Sequence, residues 1–153
     1  MKRHAMCALL SAVLVATGCG PRMELPQGYV RLENPGYLWT DRAVSADGVY
    51  LAARKAESAE KGDLDFWAAA VRNELTQARG YTLDAEAPIT GADGTVGRRM
   101  DFTATVEQAT LGYVVAVWVR ADRVVVAEAG GPKDRLDADR PAIEEALATV
   151  PLR

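Results

Sequence analysis

The chain has 153 residues, a formal net charge of −3, about half apolar side chains, one histidine and two cysteines. That length and apolar share suit one folded domain and exclude a disordered chain. The mildly acidic, scattered charge excludes the clustered basic face that nucleic acid requires, so no nucleic-acid partner is expected.

The chain opens MKRHAMCALLSAVLVATGCG. Lys2 and Arg3 form a short positive segment, and Ala5 to Ala16 is apolar except for Ser11. Twelve residues suit the core of a signal peptide and fall short of the roughly 20 a spanning helix needs. Val15, Ala16, Thr17 and Gly18 then lead to Cys19. Small residues before a cysteine resemble a bacterial lipobox, with Ala16 where leucine is commoner. The resemblance implies removal of residues 1–18 and a diacylglyceryl thioether on Cys19, usually with an N-acyl chain such as palmitate. Two or three acyl chains hold a protein on a membrane where one does so only marginally. Without residues 1–18 the chain would carry −5 and 135 residues. The alternative is an ordinary secretory signal with Cys19 an incidental thiol. Gly20 is not the aspartate that resembles an inner-membrane retention signal. The chain is therefore expected on a cell membrane or outer membrane, facing the periplasm or exterior.

Cys7 and His4 both lie in the segment to be removed. What remains has no histidine and no unmodified cysteine, so it cannot build a Ser–His–Asp triad, a Cys–His dyad, a disulfide or a His-ligated metal site. No phosphate-binding glycine motif precedes Lys-Ser/Thr. Paired carboxylates remain the one catalytic option. The 21 acidic residues show no constellation. No catalytic residue, metal or cofactor is expected, and the chain reads as a non-enzyme.

Residues 19–27 hold two prolines and read as a lipidated tether, reaching at most roughly 25–30 Å. Residues 28–153 form the expected domain. Tyr29 to Leu32 alternates as an edge strand. After the Asn34-Pro35-Gly36 turn, Tyr37, Leu38 and Trp39 either plug one end of the core or form an exposed contact site. Tyr37, Trp39 and Arg42 are the candidate binding residues. Asp47-Gly48 sits between Ala43–Ser45 and Val49–Arg54 as a hairpin signal. Lys55 to Gly62 reads as a solvated loop.

Asp63 to Gly80 reads as an amphipathic helix. Asp63 is its cap, Leu64, Trp67, Ala68, Val71, Leu75 and Ala78 form one apolar stripe, and Gly80 ends it. Tyr81 to Ile89 alternates as a half-buried strand that Pro88 should stop. Thr95 to Val106 is a second strand, with Met100, Phe102, Ala104 and Val106 on one face. Tyr113–Val119 and Val124–Ala127 form a tight hairpin, and their valine runs predict central strands covered on both faces. Gly130-Gly131-Pro132 reads as a loop with no helix directly after it. Asp137 or Asp139 caps a last helix with Pro141 in its first turn and Ile143, Leu147 and Val150 buried.

The expected fold is α+β: a mainly antiparallel sheet with two packed helices. The run NPGYLW, the helix ending at Gly80-Tyr81, the four-strand meander and the terminal IEEALATV together resemble the PsbP-like α/β/α sandwich, over about Tyr29 to Leu152. The resemblance carries no catalytic motif and no residue roles. It implies a binding or assembly module; with the lipobox-like residues, the compact domain and the absence of catalytic side chains, the expected function is a membrane-anchored, non-enzymatic binding or accessory module of the cell envelope with an envelope protein as partner. The competing readings are a small carboxylate-based cell-wall enzyme and a carrier of a small apolar ligand held between the sheet and the Asp63–Gly80 helix. The sequence sets no oligomeric state.

Overall fold

The valine runs become the centre of a seven-stranded, wholly antiparallel sheet. The computed structural model describes residues 22–34, 36–57, 62–121 and 123–153. Cys19 and the signal stretch lie outside them. The strands are β1 (Tyr29–Arg31), β2 (Asp41–Ser45), β3 (Tyr50–Glu57), β4 (Thr82–Thr90), β5 (Val96–Val106), β6 (Ala109–Arg120) and β7 (Arg123–Pro132). Their spatial order is β1-β2-β3-β7-β6-β5-β4, so the valine hairpin β6–β7 sits inside and β1 and β4 are edges. Val114 to Trp118 are each at most 1% exposed, which requires cover on both faces.

That cover comes from helices on opposite sides. Helix α1 (Leu64–Asn73) packs on β5 and β6. Helices α2 (Lys133–Ala138) and α3 (Arg140–Ala148) cover the other face. Two apolar clusters result. One joins Trp118, Val114, Leu51 and Ala127 to Leu136, Ile143 and Leu147. The other joins Met100, Phe102, Val115 and Val117 to Ala68 and Leu75. Asp63 caps α1 by accepting from the Phe66 amide at 2.9 Å. Beyond Asn73 the helix widens into a π-helical turn, Glu74–Ala78, and Gly80 ends it at φ +72°.

Several expectations need correction. Lys55 to Glu57 are not loop: β3 runs on because β7 offers them a full ladder down to Arg123. Pro88 does not stop β4, because β4 is an edge strand with one side unpaired. The alternation in β4 also changes phase. A bulge between Leu83 and Ala85 places Leu83 opposite Phe102 and Glu86 opposite Met100, on the same face. Gly130, Gly131 and Pro132 are strand, paired to Tyr113, Gly112 and Leu111, and α2 begins directly after them. There are three helices among the described residues, not two.

The domain also begins earlier than Gly28. Met23 is 1% exposed and its amide donates to Asp41 Oδ2 at 3.1 Å. Arg31 pairs with the same carboxylate and donates to the Met23 carbonyl at 2.6 Å. The Glu24 amide donates to Thr149 Oγ1 at 2.8 Å, and Leu25 packs on the core. Residues 23–27, read as tether, are a strap laid along α3.

Candidate functional site

Helix α1 does not lie centrally on its face of the sheet. Its apolar stripe packs on β5 and β6, and ion pairs tie it to β4 and β5: Arg98 bridges Glu86 and Asp65, each at 2.8 Å, and Arg72 reaches Glu86 at 2.7 Å. The β3–β7 side of that face is left without a helix. A groove of about 430 Å³ fills the space, lined by Trp67, Val71, Leu75 and Val115, with Leu38 and Trp39 from the β1–β2 loop on the opposite wall. That volume lies within the roughly 300–1,000 Å³ typical of ligand sites. The π-helical turn brings Glu74 and Leu75, and Arg79 follows at its end, all three on the groove wall.

The groove floor is polar. Glu128 on β7 is 6% exposed and accepts from the Tyr113 hydroxyl at 2.7 Å. Tyr50 reaches the same carboxylate from β3. Gly130 makes this possible: a Cβ there would lie 2.7–2.9 Å from the Tyr50 ring and hydroxyl. The missing side chain lets the Tyr50 ring lie across the strand towards Glu128. Burial raises the Glu128 pKa, opposed by the two tyrosine hydroxyls and by Arg54 and Arg79. Burial and the nearby carboxylate likewise raise both phenols.

An acid whose folded pKa is raised costs stability once ionised. Protonation is shared by both states below the ordinary carboxylate range, and the cost is complete above the folded pKa. Glu128→Gln keeps an acceptor for a tyrosine hydroxyl and removes the charge. It is expected to raise the melting temperature at pH 7–8 by roughly 2–4 °C, with the gain vanishing near pH 4. A thermal-denaturation series against pH measures it.

The structure places the three candidate binding residues differently. Trp39 is half-buried in the groove wall, its ring 5.6 Å from the Arg54 guanidinium. Arg42 pairs with Ala52, which pairs with Glu128, so it lies on the groove face at the outer strand, outside the groove lining. Tyr37 is fully exposed and stands outside the groove. Trp67, expected in the core, does pack on the α1-side cluster and also lines the groove. Glu128, Tyr113, Tyr50 and Gly130 went unread as a site. The available signal was one acid inside VVVAEAGG, a run otherwise fit for burial on both faces.

Chemically, the groove offers an apolar wall and a protected carboxyl. Glu74, the other carboxylate on the wall, is ion-paired with Arg79 at 3.1 Å and over half exposed. Among the described residues no group of three His, Cys, Asp or Glu side chains is arranged to hold a metal.

No protein-family model and no curated protein sequence matches the chain. Solved structures do. LpqN, a protein involved in cell envelope biogenesis of Mycobacterium tuberculosis, aligns with a TM-score of 0.69 at 13% identity, over 84% of this chain and 82% of its own. The cyanobacterial PsbP of Synechocystis aligns at 0.61 and 12% identity, over 86% and 85%. The chain has a PsbP-like fold. The same architecture aligns with the Saccharomyces cerevisiae Ran-binding protein Mog1p at 0.53 and 19% identity, over 82% and 79%. At these identities the likeness is one of fold. The PsbP-like sandwich supplies the sheet and flanking helices, and this chain's own residues supply the groove.

Proposed function

We propose that the chain is a membrane-anchored cell-envelope lipoprotein acting as a non-enzymatic binding or accessory module, and that it holds its partner in the groove between α1 and strands β3 and β7. The groove carries this reading: apolar walls from two elements close over a buried, hydrogen-bonded carboxyl. The lipobox-like residues before Cys19 support the anchor. LpqN's part in envelope biogenesis and Mog1p's binding of Ran support an accessory role with a protein partner.

The contact residues would be Trp39 in the wall with Tyr37 and Arg42 beside it. A photo-crosslinking residue at Ala70, on the groove wall, in the full-length chain should trap one envelope protein. Tyr37, Trp39 and Arg42 changed together to alanine should cut that capture roughly tenfold, the size of a hot-spot loss. Capture that is unchanged while the fold persists would remove the patch.

The groove's volume also supports a carrier of a small apolar ligand. Native mass spectrometry of protein purified from membranes separates the two readings, since a carrier leaves with a small molecule bound. Carboxylate chemistry would use Glu128 as the acid and would show as glycan cleavage lost in Glu128→Gln.

A further inference from the structure

The two ends of the sheet differ in apolar exposure. At one end β1 and β3 finish, β2 and β5 begin and α1 starts. Tyr37 is 101% exposed there and Leu38 65%, on the loop between β1 and β2. Phe66, in the first turn of α1, and Val96, the first residue of β5, are also exposed there. Leu38 and Trp67 line one groove, and Phe66 stands edge-on to Trp67 at 5.3 Å, which brings Phe66 to the Leu38 side of α1. Among the other exposed large apolar residues, Val106 lies at the far end and Val30 within an edge strand.

The chain outside the structure also leaves from this end. Met23 is fixed to Asp41, the first residue of β2, and Arg22 shares a surface hollow with Thr149 and Arg153 at the end of α3. Met23 is four residues on from Cys19, a reach of roughly 14 Å. Two acidic side chains at this end are ion-paired: Arg98 holds Asp65 at 2.8 Å and Arg120 holds Asp93 at 2.9 Å.

From this we infer that the Tyr37-Leu38 tip, with Phe66 near it, is a second membrane contact, seated in the bilayer interface next to the lipid anchor. The occupant is a phospholipid surface. Tyrosine suits the headgroup level, since its ring is apolar and its hydroxyl stays wet. One weak contact adds little alone, but a tether this short keeps the tip at high local concentration near lipid. The inference rests on the lipoprotein reading for its geometry, and its test does not need acylation.

The probe is a vesicle of phosphatidylcholine and phosphatidylglycerol, 7:3. The protein is the unacylated chain 20–153, which contains every residue of both core clusters. Cosedimentation should show weak binding, reduced roughly tenfold by Tyr37→Ser with Leu38→Ser and unaltered by Val106→Ser at the far end. Equal binding by wild type and double variant, no binding at all, or equal loss with Val106→Ser would overturn it. In membranes of cells making the full-length chain, Leu38→Cys should resist an impermeant maleimide until detergent is added, whereas Val106→Cys reacts at once. Protection at position 38 without vesicle binding would mean a protein covers the tip, and the inference would fall. Loss of globomycin-sensitive processing at Cys19 with vesicle binding retained would instead remove the anchor alone.

Discussion

Trp118→Ala should destabilise the domain by about 3–5 kcal/mol, seen as a fall of about 10–20 °C in melting temperature. Trp118 is 0% exposed on the α3 side of β6. It packs where a glycine makes room: a Cβ at Gly97 would lie 2.5 Å from its ring. Neighbours held in strand and turn cannot close over the space that truncation leaves, so a cavity remains. Trp118→Phe separates packing from polarity. The indole Nε1 is buried without a hydrogen-bond partner. Phenylalanine gives up volume and also removes that orphan donor, so its cost should be well under half that of alanine. Chemical denaturation of both variants measures the pair. Equal losses would mean that the ring's bulk is not what fills the site.

The contrast between Trp118 and Glu128 shows what sequence can carry. Both sit in valine-rich strands that pattern alone makes central and covered. Which face each residue takes depends on register, set by a hairpin with Arg120 opposite Arg123. Local chemistry was readable where it acts locally. Asp47-Gly48 turns β2 into β3 with Gly48 at φ +82°, Asp63 caps α1, and Ile143 and Leu147 bury the last helix. What stayed hidden depends on distant partners. Pro88 is tolerated only because β4 has no outer neighbour, and Lys55–Glu57 extend only because β7 pairs with them. The glycines that read as a loop at 130 and 131 hold strand register and give the Tyr50 ring its space. The groove was illegible for the same reason. Its width follows from α1 seating Ala68 and Leu75 on β5 and β6, partners distant in sequence, which leaves the β3–β7 side uncovered.

Asp41→Ala should destabilise the domain by about 3–5 kcal/mol, with a consequence at the membrane that Trp118→Ala lacks. Asp41 is 6% exposed and is the carboxylate on which the N-terminal strap converges. It pairs with Arg31 and accepts from the Met23 amide, and Arg31 in turn holds the Met23 carbonyl. Alanine leaves a partly buried guanidinium and an amide without their acceptor, the costly half of a broken pair. Asp41→Asn keeps an acceptor for Met23 and removes the carboxylate charge that pairs with Arg31, so it should cost about half as much. The strap should peel first, because its other ties are one hydrogen bond to Thr149 Oγ1 and the packing of Met23 and Leu25 at the edge of the core. Cleavage by a protease between residues 22 and 28 should therefore rise in Asp41→Ala at temperatures where β6 and β7 stay protected in hydrogen exchange. Peeling to Tyr29 would lengthen the tether from Cys19 to ten residues, roughly 35 Å. A domain on that longer leash loses most of the local concentration that presses the Tyr37-Leu38 tip to lipid, while the groove keeps its walls. Asp41→Ala should thus expose a cysteine at position 38 to impermeant maleimide and leave crosslinking from Ala70 intact, and equal loss of both would mean that the variant unfolds globally.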